Sequence, residues 1–173
     1  MTENRFIAYL RGLADRQDRG ALAALRRGLS RPPGTAAEMH PYVVPFLPEG
    51  WAWRHQCHYI IAALFALHPQ STGQGNLGEA FRRIAAQTPS ESIEQRFVAL
   101  LKSHRDDLFD HLRHAVGLAK SNDAAICWET LFRDIQHWDD DRRRVQRNWA
   151  RSFWGGAGPQ PQTAPTAQTT EGG

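Results

Sequence analysis

Apolar residues recur along nearly the whole chain at three- and four-residue intervals, and the strict alternation of a half-buried strand is almost absent. That periodicity restricts the fold to all-α: a compact multi-helix bundle with a basic surface. Phe6, Leu10 and Leu13 mark one face of a first helix. Asp18 is placed to cap a second, with Leu22, Leu25 and Leu29 inward, Arg19, Arg26 and Arg27 outward, and SRPPG (30–34) to stop it. HPYVVPFLPEG (40–50) holds too many prolines for a long helix. It reads as a buried crossing segment whose Tyr42, Val43, Val44, Phe46 and Leu47 pack onto the bundle.

WAWRHQCHYIIAALFALH, from Trp51 to His68, is apolar around most of its circumference after Tyr59 and is expected to be the central helix. At 18 residues, with Arg54 and three histidines, it is no membrane span. Asn76 caps the next helix, with Leu77, Phe81 and Ile84 inward. Pro89 and Ser90 open another, with Ile93, Phe97, Leu100 and Leu101 at core spacing. Asp106 or Asp107 begins a helix striped by Leu108, Leu112, Ala115, Val116 and Ala119. Trp128, Leu131, Phe132, Ile135 and Trp138 stripe the one after it.

The 173 residues fit one domain, 1–156, followed by a disordered Pro/Gly/Thr/Gln tail over 157–173. The tail carries only Glu171 as charge, so the formal net charge of +3 becomes +4 without it. Of 21 basic residues all but Lys102 and Lys120 are Arg. That usage suits bidentate contacts to phosphate or carboxylate, and it equally follows from a GC-rich genome. The N-terminus lacks a secretory layout, and Cys57 and Cys127 read as reduced, buried thiols of a cytoplasmic protein.

Two clusters invite a metal. His55, Cys57 and His58 share part of the central helix, with the histidines at i, i+3, a geometry that can hold zinc; Cys57 points away from that face, and ordinary packing accounts for the three equally. Asp106, Asp107, Asp110, His111 and His114 would be the ligands and bases of a metal-dependent nuclease or phosphatase. Helix capping and the macrodipole account for the aspartates without chemistry. No phosphate loop, dinucleotide fingerprint or nucleophile elbow occurs, and no motif calls for a cofactor.

The last helix, DDDRRRVQRNWARSFWGG (139–156), opens on three aspartates and threads five arginines between two tryptophans. Placed at 100° steps with Val145 at zero, Trp149 and Phe153 fall near 40° and 80°. Arg143, Arg144, Arg147 and Arg151 fall between about 160° and 260°, a basic face opposite the apolar stripe. Arg142 lies over the stripe, placed to lay its stem on apolar surface or to pair with a local acid. Arginines at i, i+4 and i+8 repel one another unless an anion answers them. Asp134, Asp139 or Asp140 on a neighbouring element would do so, as would a phosphate.

Taken in order, DRGALAALRRGL with PPG, PYVVPFL, AALFALHP, NLGEAFRRI, SIEQRFVALL, RDDLFDHLRHAV and HWDDDRRRVQRNWARSFWG resemble the CasB family. That family is the small subunit of the type I-E CRISPR surveillance complex called Cascade. The likeness runs from about residue 6 to 156. It implies an all-helical, non-enzymatic protein, present as two copies beside other Cascade subunits and the CRISPR RNA. Its implied task is to hold the displaced strand of target DNA without sequence preference while a separate enzyme cuts. Carried over by motif, the implied contacts are Arg26 and Arg27, Arg96 of EQRF, Lys102 and Arg105, Arg113 of HLR, and Arg143, Arg144 and Arg147 of the terminal pattern. Asn148 stands where that pattern has a further basic residue. The resemblance, not the helical geometry, turns the missing anion of the last helix toward phosphate, and Arg151 joins the set from the geometry.

Overall fold

The computed structural model describes residues 4–50 and 52–156. The expected tail, 157–173, lies outside the described residues, as do Met1–Glu3 and Trp51. Among the described residues there are nine α-helices and no strand beyond an isolated bridge between Ser71 and Ile126.

Helix α1 (Arg5–Asp15) begins where the Asn4 carboxamide accepts the amides of Phe6 and Ile7, and α2 (Arg19–Arg26) where Asp18 accepts that of Ala21. A 3-10 turn, Arg27–Ser30, runs into the two prolines. The connector resolves into a short α3 (His40–Val43) and a 3-10 turn, Val44–Phe46. Its packing is only partly as the sequence predicts: Val43 is buried, but Val44 is 51% exposed. In a helical turn, adjacent residues point about 100° apart, so one of two neighbouring valines faces water.

Helix α4 (Ala52–Leu67) is the axis of the fold, with every residue from Cys57 to Ala66 buried. Helices α2, α7 (Leu108–Ser121) and α8 (Trp128–Gln136) pack around it. Burial this complete explains a helix without a polar face. The Cys57 thiol is pushed up to about 12 by the same burial, and both cysteines are free.

Helices α5 (Leu77–Gln87) and α6 (Glu91–Lys102) are capped by Asn76 and Ser90 as the sequence predicts. Helix α9 (Arg144–Trp154) lies against α5. There the approach is close enough that a Cβ on Gly78 would sit 2.1 Å from the Trp149 carbonyl oxygen. Val145, Trp149 and Phe153 are buried, so the apolar stripe is where the helical geometry puts it.

The start of α9 differs from expectation. Asp139, Asp140 and Asp141 form a turn ahead of the helix, and Arg143 is its N-cap in the left-handed region at φ 53°. Arg142 and Arg143 therefore leave the helical projection. The turn is held by the Arg142 amide on Asp140 Oδ1 at 2.9 Å and the Arg143 amide on the Asp140 carbonyl at 2.7 Å. Similarly, Asp107 precedes α7 without a capping hydrogen bond; the side-chain cap one turn earlier is His104 Nδ1, which accepts the Asp106 amide.

Candidate nucleic-acid interface

Two buried indoles and a half-buried one tie the surface segments together. Trp138 donates from Nε1 to the Ser103 carbonyl at 3.1 Å, and Trp149 donates to Asp134 Oδ2 at 2.7 Å. Trp53 donates to the Ile135 carbonyl at 3.1 Å. The first bond sets residues 101–105 beside the turn that precedes α9. Through this junction the structure brings together basic residues forty positions apart in sequence.

Arg143 donates its guanidinium to the Leu101 carbonyl. Arg105 pairs with Asp139, Nη1 to Oδ2 at 2.9 Å, and lies 5.2 Å over the Trp53 ring. Lys102, between Leu101 and Arg105 in sequence, is exposed, with no side-chain partner among the described residues. Arg113 bonds the Leu29 carbonyl at 2.7 Å and Asp110 at 3.2 Å. Arg105 and Arg113 share a cleft of about 470 Å³ with Arg31, Trp53 and the Pro32–Pro33 wall. Arg31 escaped the sequence reading; its only signal was a cation beside the helix-stopping prolines.

Arg26 donates Nε to the Ala66 carbonyl at 2.9 Å, and Arg27 lies 3.5 Å from Glu38. On α9, Arg144 pairs with Asp140 one turn back. Arg147 and Arg151 are exposed, with no side-chain partner among the described residues. The four-arginine face of the sequence reading is thus two free cations, one paired one and one brace. An internal anion answers this face at Arg144, where Asp140 supplies it. Hydrogen bonds from the Arg142 amide and from Arg144 hold the Asp140 carboxyl below the usual range.

Arg96 stands in a second cleft of about 440 Å³, beside His111, His114 and Phe81. That placement also divides the Asp/His cluster: Asp110 faces Arg113 in the first cleft while both histidines line the second. In the central helix, His55 Nε2 and His58 Nδ1 bond the carbonyls of Pro48 and Arg54 at 2.6 and 2.7 Å. No three His, Cys, Asp or Glu side chains are gathered to hold a metal among the described residues. No described helix is long and apolar enough to cross a membrane.

The fold and site together define an all-α bundle whose exposed arginines are in part paired with carboxylates and in part without a side-chain partner among the described residues. Comparison with known proteins makes the assignment specific. Residues 21–154 match the sequence profile of the CRISPR-associated protein Cse2. The chain is 37% identical over 157 residues to the CRISPR-associated protein Cse2 of Thermus thermophilus, covering 87% of this chain and 89% of that one. It superposes on the crystal structure of CasB from Thermus thermophilus with a TM-score of 0.78 at 35% identity, covering 87% of this chain and 96% of the other. For M. ruber CasB the TM-score is 0.73 at 31% identity, with coverage of 89% and 94%. A chain of a CRISPR RNA-guided surveillance complex gives 0.71 at 26% identity, with coverage of 86% and 92%. The chain belongs to the Cse2/CasB family.

Proposed function

We propose that this chain is the small, non-catalytic subunit of a CRISPR RNA-guided Cascade complex, working in the cytoplasm as one of two copies beside the other subunits. Its basic surface binds the displaced strand of target DNA through the phosphate backbone and stabilises the open R-loop. Family membership and the likeness to a chain of a surveillance complex support the assembly. The observation that carries the strand-binding step is a set of exposed cations, Lys102, Arg147 and Arg151, with no side-chain partner among the described residues, together with Arg105, Arg143 and Arg144. An RNA–DNA hybrid is about as stable as the duplex it replaces, a balance described for a different RNA-guided effector, so modest backbone contacts are enough to tip strand exchange. Contacts to phosphate carry no sequence information, as the task requires.

The test uses Arg147 and Arg151 because no described side chain depends on them. Arg147→Glu with Arg151→Glu leaves assembly of the complex intact and lowers R-loop formation on target DNA, read by permanganate footprinting of the displaced strand. Loss of assembly would instead favour a scaffold whose arginines meet acidic protein surfaces. Arg26, Arg27 and Arg113 lean toward that second role, since each is already bonded within the chain. Metal-dependent, chelator-sensitive cleavage of DNA by the purified chain would overturn the non-catalytic assignment.

A further inference from the structure

Two consecutive aspartates hold two of the interface arginines. Asp139 reaches back to Arg105 at 2.9 Å, and Asp140 takes Arg144 with Oδ2 while Oδ1 accepts the Arg142 amide. The third, Asp141, is exposed and has no side-chain partner among the described residues. Ahead of the left-handed Arg143, Asp139 faces the 101–105 segment through Arg105 while Asp140 faces α9 through Arg144. A carboxylate on a guanidinium cancels most of the charge that an approaching phosphate would meet. Both pairs are open to water on their arginine side, at 40% and 68% exposure, so phosphate has access to the same donors.

We propose that Asp139 and Asp140 are specificity-determining residues: internal competitors that mask Arg105 and Arg144 from free nucleic acid and yield them to a strand already held by neighbouring cations. This inference rests on the strand-binding reading above. Physically it is an exchange of one anion for another, with no bond made or broken. A phosphate delivered by a strand anchored at Lys102, Arg147 or Arg151 arrives at high effective concentration and displaces the carboxylate. A stray oligonucleotide lacks that advantage and meets neutral pairs. The DDDRRR turn thereby lets a basic surface distinguish a strand fixed along its length from one in passing contact.

The experiment measures binding of a fluorescent single-stranded oligonucleotide to the full chain by anisotropy at several salt concentrations. Asp139→Asn and Asp140→Asn each remove one charge, and Asp140→Asn keeps an oxygen at the Oδ1 position for the Arg142 amide. Each is expected to raise affinity about 2- to 5-fold, the range of an exposed ion pair. The salt slope should steepen by about 0.7 for each arginine released. Asp141→Asn removes the same charge where nothing is paired and should change affinity less. Equal gains from Asp141→Asn and Asp139→Asn would overturn the proposal, and so would unchanged affinity in the first two variants. Circular dichroism confirms folding; if Asp140→Asn unfolds, the exposed Asp139→Asn decides against Asp141→Asn alone. Absence of binding by every variant at low salt would sink the strand-binding reading itself, and this inference with it.

Discussion

His58 is a histidine inside the core, 5.0 Å from the ring of Phe6 and 4.8 Å from that of Phe132, with Nδ1 on the Arg54 carbonyl. Burial lowers its pKa from the ordinary 6.5, and the Arg54 carbonyl opposes that only in part. The folded state thus prefers the neutral ring. Stability is full above about pH 6.5, where the unfolded chain is also neutral, and is lost as pH falls below that value. His58→Phe keeps the ring packing and removes the titration. Thermal unfolding between pH 8 and pH 5 should therefore fall less steeply in the variant than in the parent. Asp140 carries the same sign from a different cause, hydrogen bonds to its charged form rather than burial. Its folded pKa is depressed, so its stabilisation is present above the ordinary carboxylate value and lost as pH falls through the folded one. Asp140→Asn should lower the melting temperature at pH 7 and flatten the acid limb of the pH profile. The sequence offers Asp140 as one anion for the arginines but leaves His58 open, because a histidine at i, i+3 from another looks the same whether it faces a metal or a phenyl ring.

At the scale of elements, the packing of α9 on α5 is decided by Gly78. Its missing Cβ lets the Trp149 carbonyl come down onto α5, so Gly78→Ala forces the helices apart. The expected cost is about 1–3 kcal/mol, as for overpacked cores. Gly117 is the control: it lies within α7, and a Cβ there meets nothing within 4 Å. Gly117→Ala should stabilise by about 0.5–1 kcal/mol, the usual helical preference for alanine over glycine. Urea denaturation of both variants measures the contrast. The caps at Asp18, Asn76 and Ser90 and the stripes of α5 through α9 were legible in sequence because they are local. The turn at 139–143 was not. A helical projection extends through any residue that has not been told to stop, and the left-handed Arg143 that ends it is held by the Asp140 carbonyl and the Leu101 carbonyl of another element.

For the whole molecule, the consequence is that a count of arginines overstates the charge available to a partner. Arg105, Arg113 and Arg144 are paired with aspartates, and Arg27 lies near Glu38. Under the proposed function, the unpaired cations set the salt dependence. Replacing Arg147 and Arg151 by Gln should reduce the slope of log affinity against log salt by about 1.4 for single-stranded DNA, at roughly 0.7 per contact. The corresponding change at Arg26, bonded to the Ala66 carbonyl, should move the slope less. By itself the sequence determined the all-α class, the central helix and the apolar stripe of the last one, since each follows from the spacing of apolar side chains along a single segment. Order and spacing of its motifs also carried the likeness to the CasB family. Only the tertiary structure decided which cations are free, which carboxylates hold the others, and that Arg31 joins Arg105 and Arg113 in one cleft. An ion pair is a relation between side chains that the fold brings together. Asp139 meets Arg105 where the neighbouring Trp138 donates its indole N–H to the Ser103 carbonyl, 35 residues away.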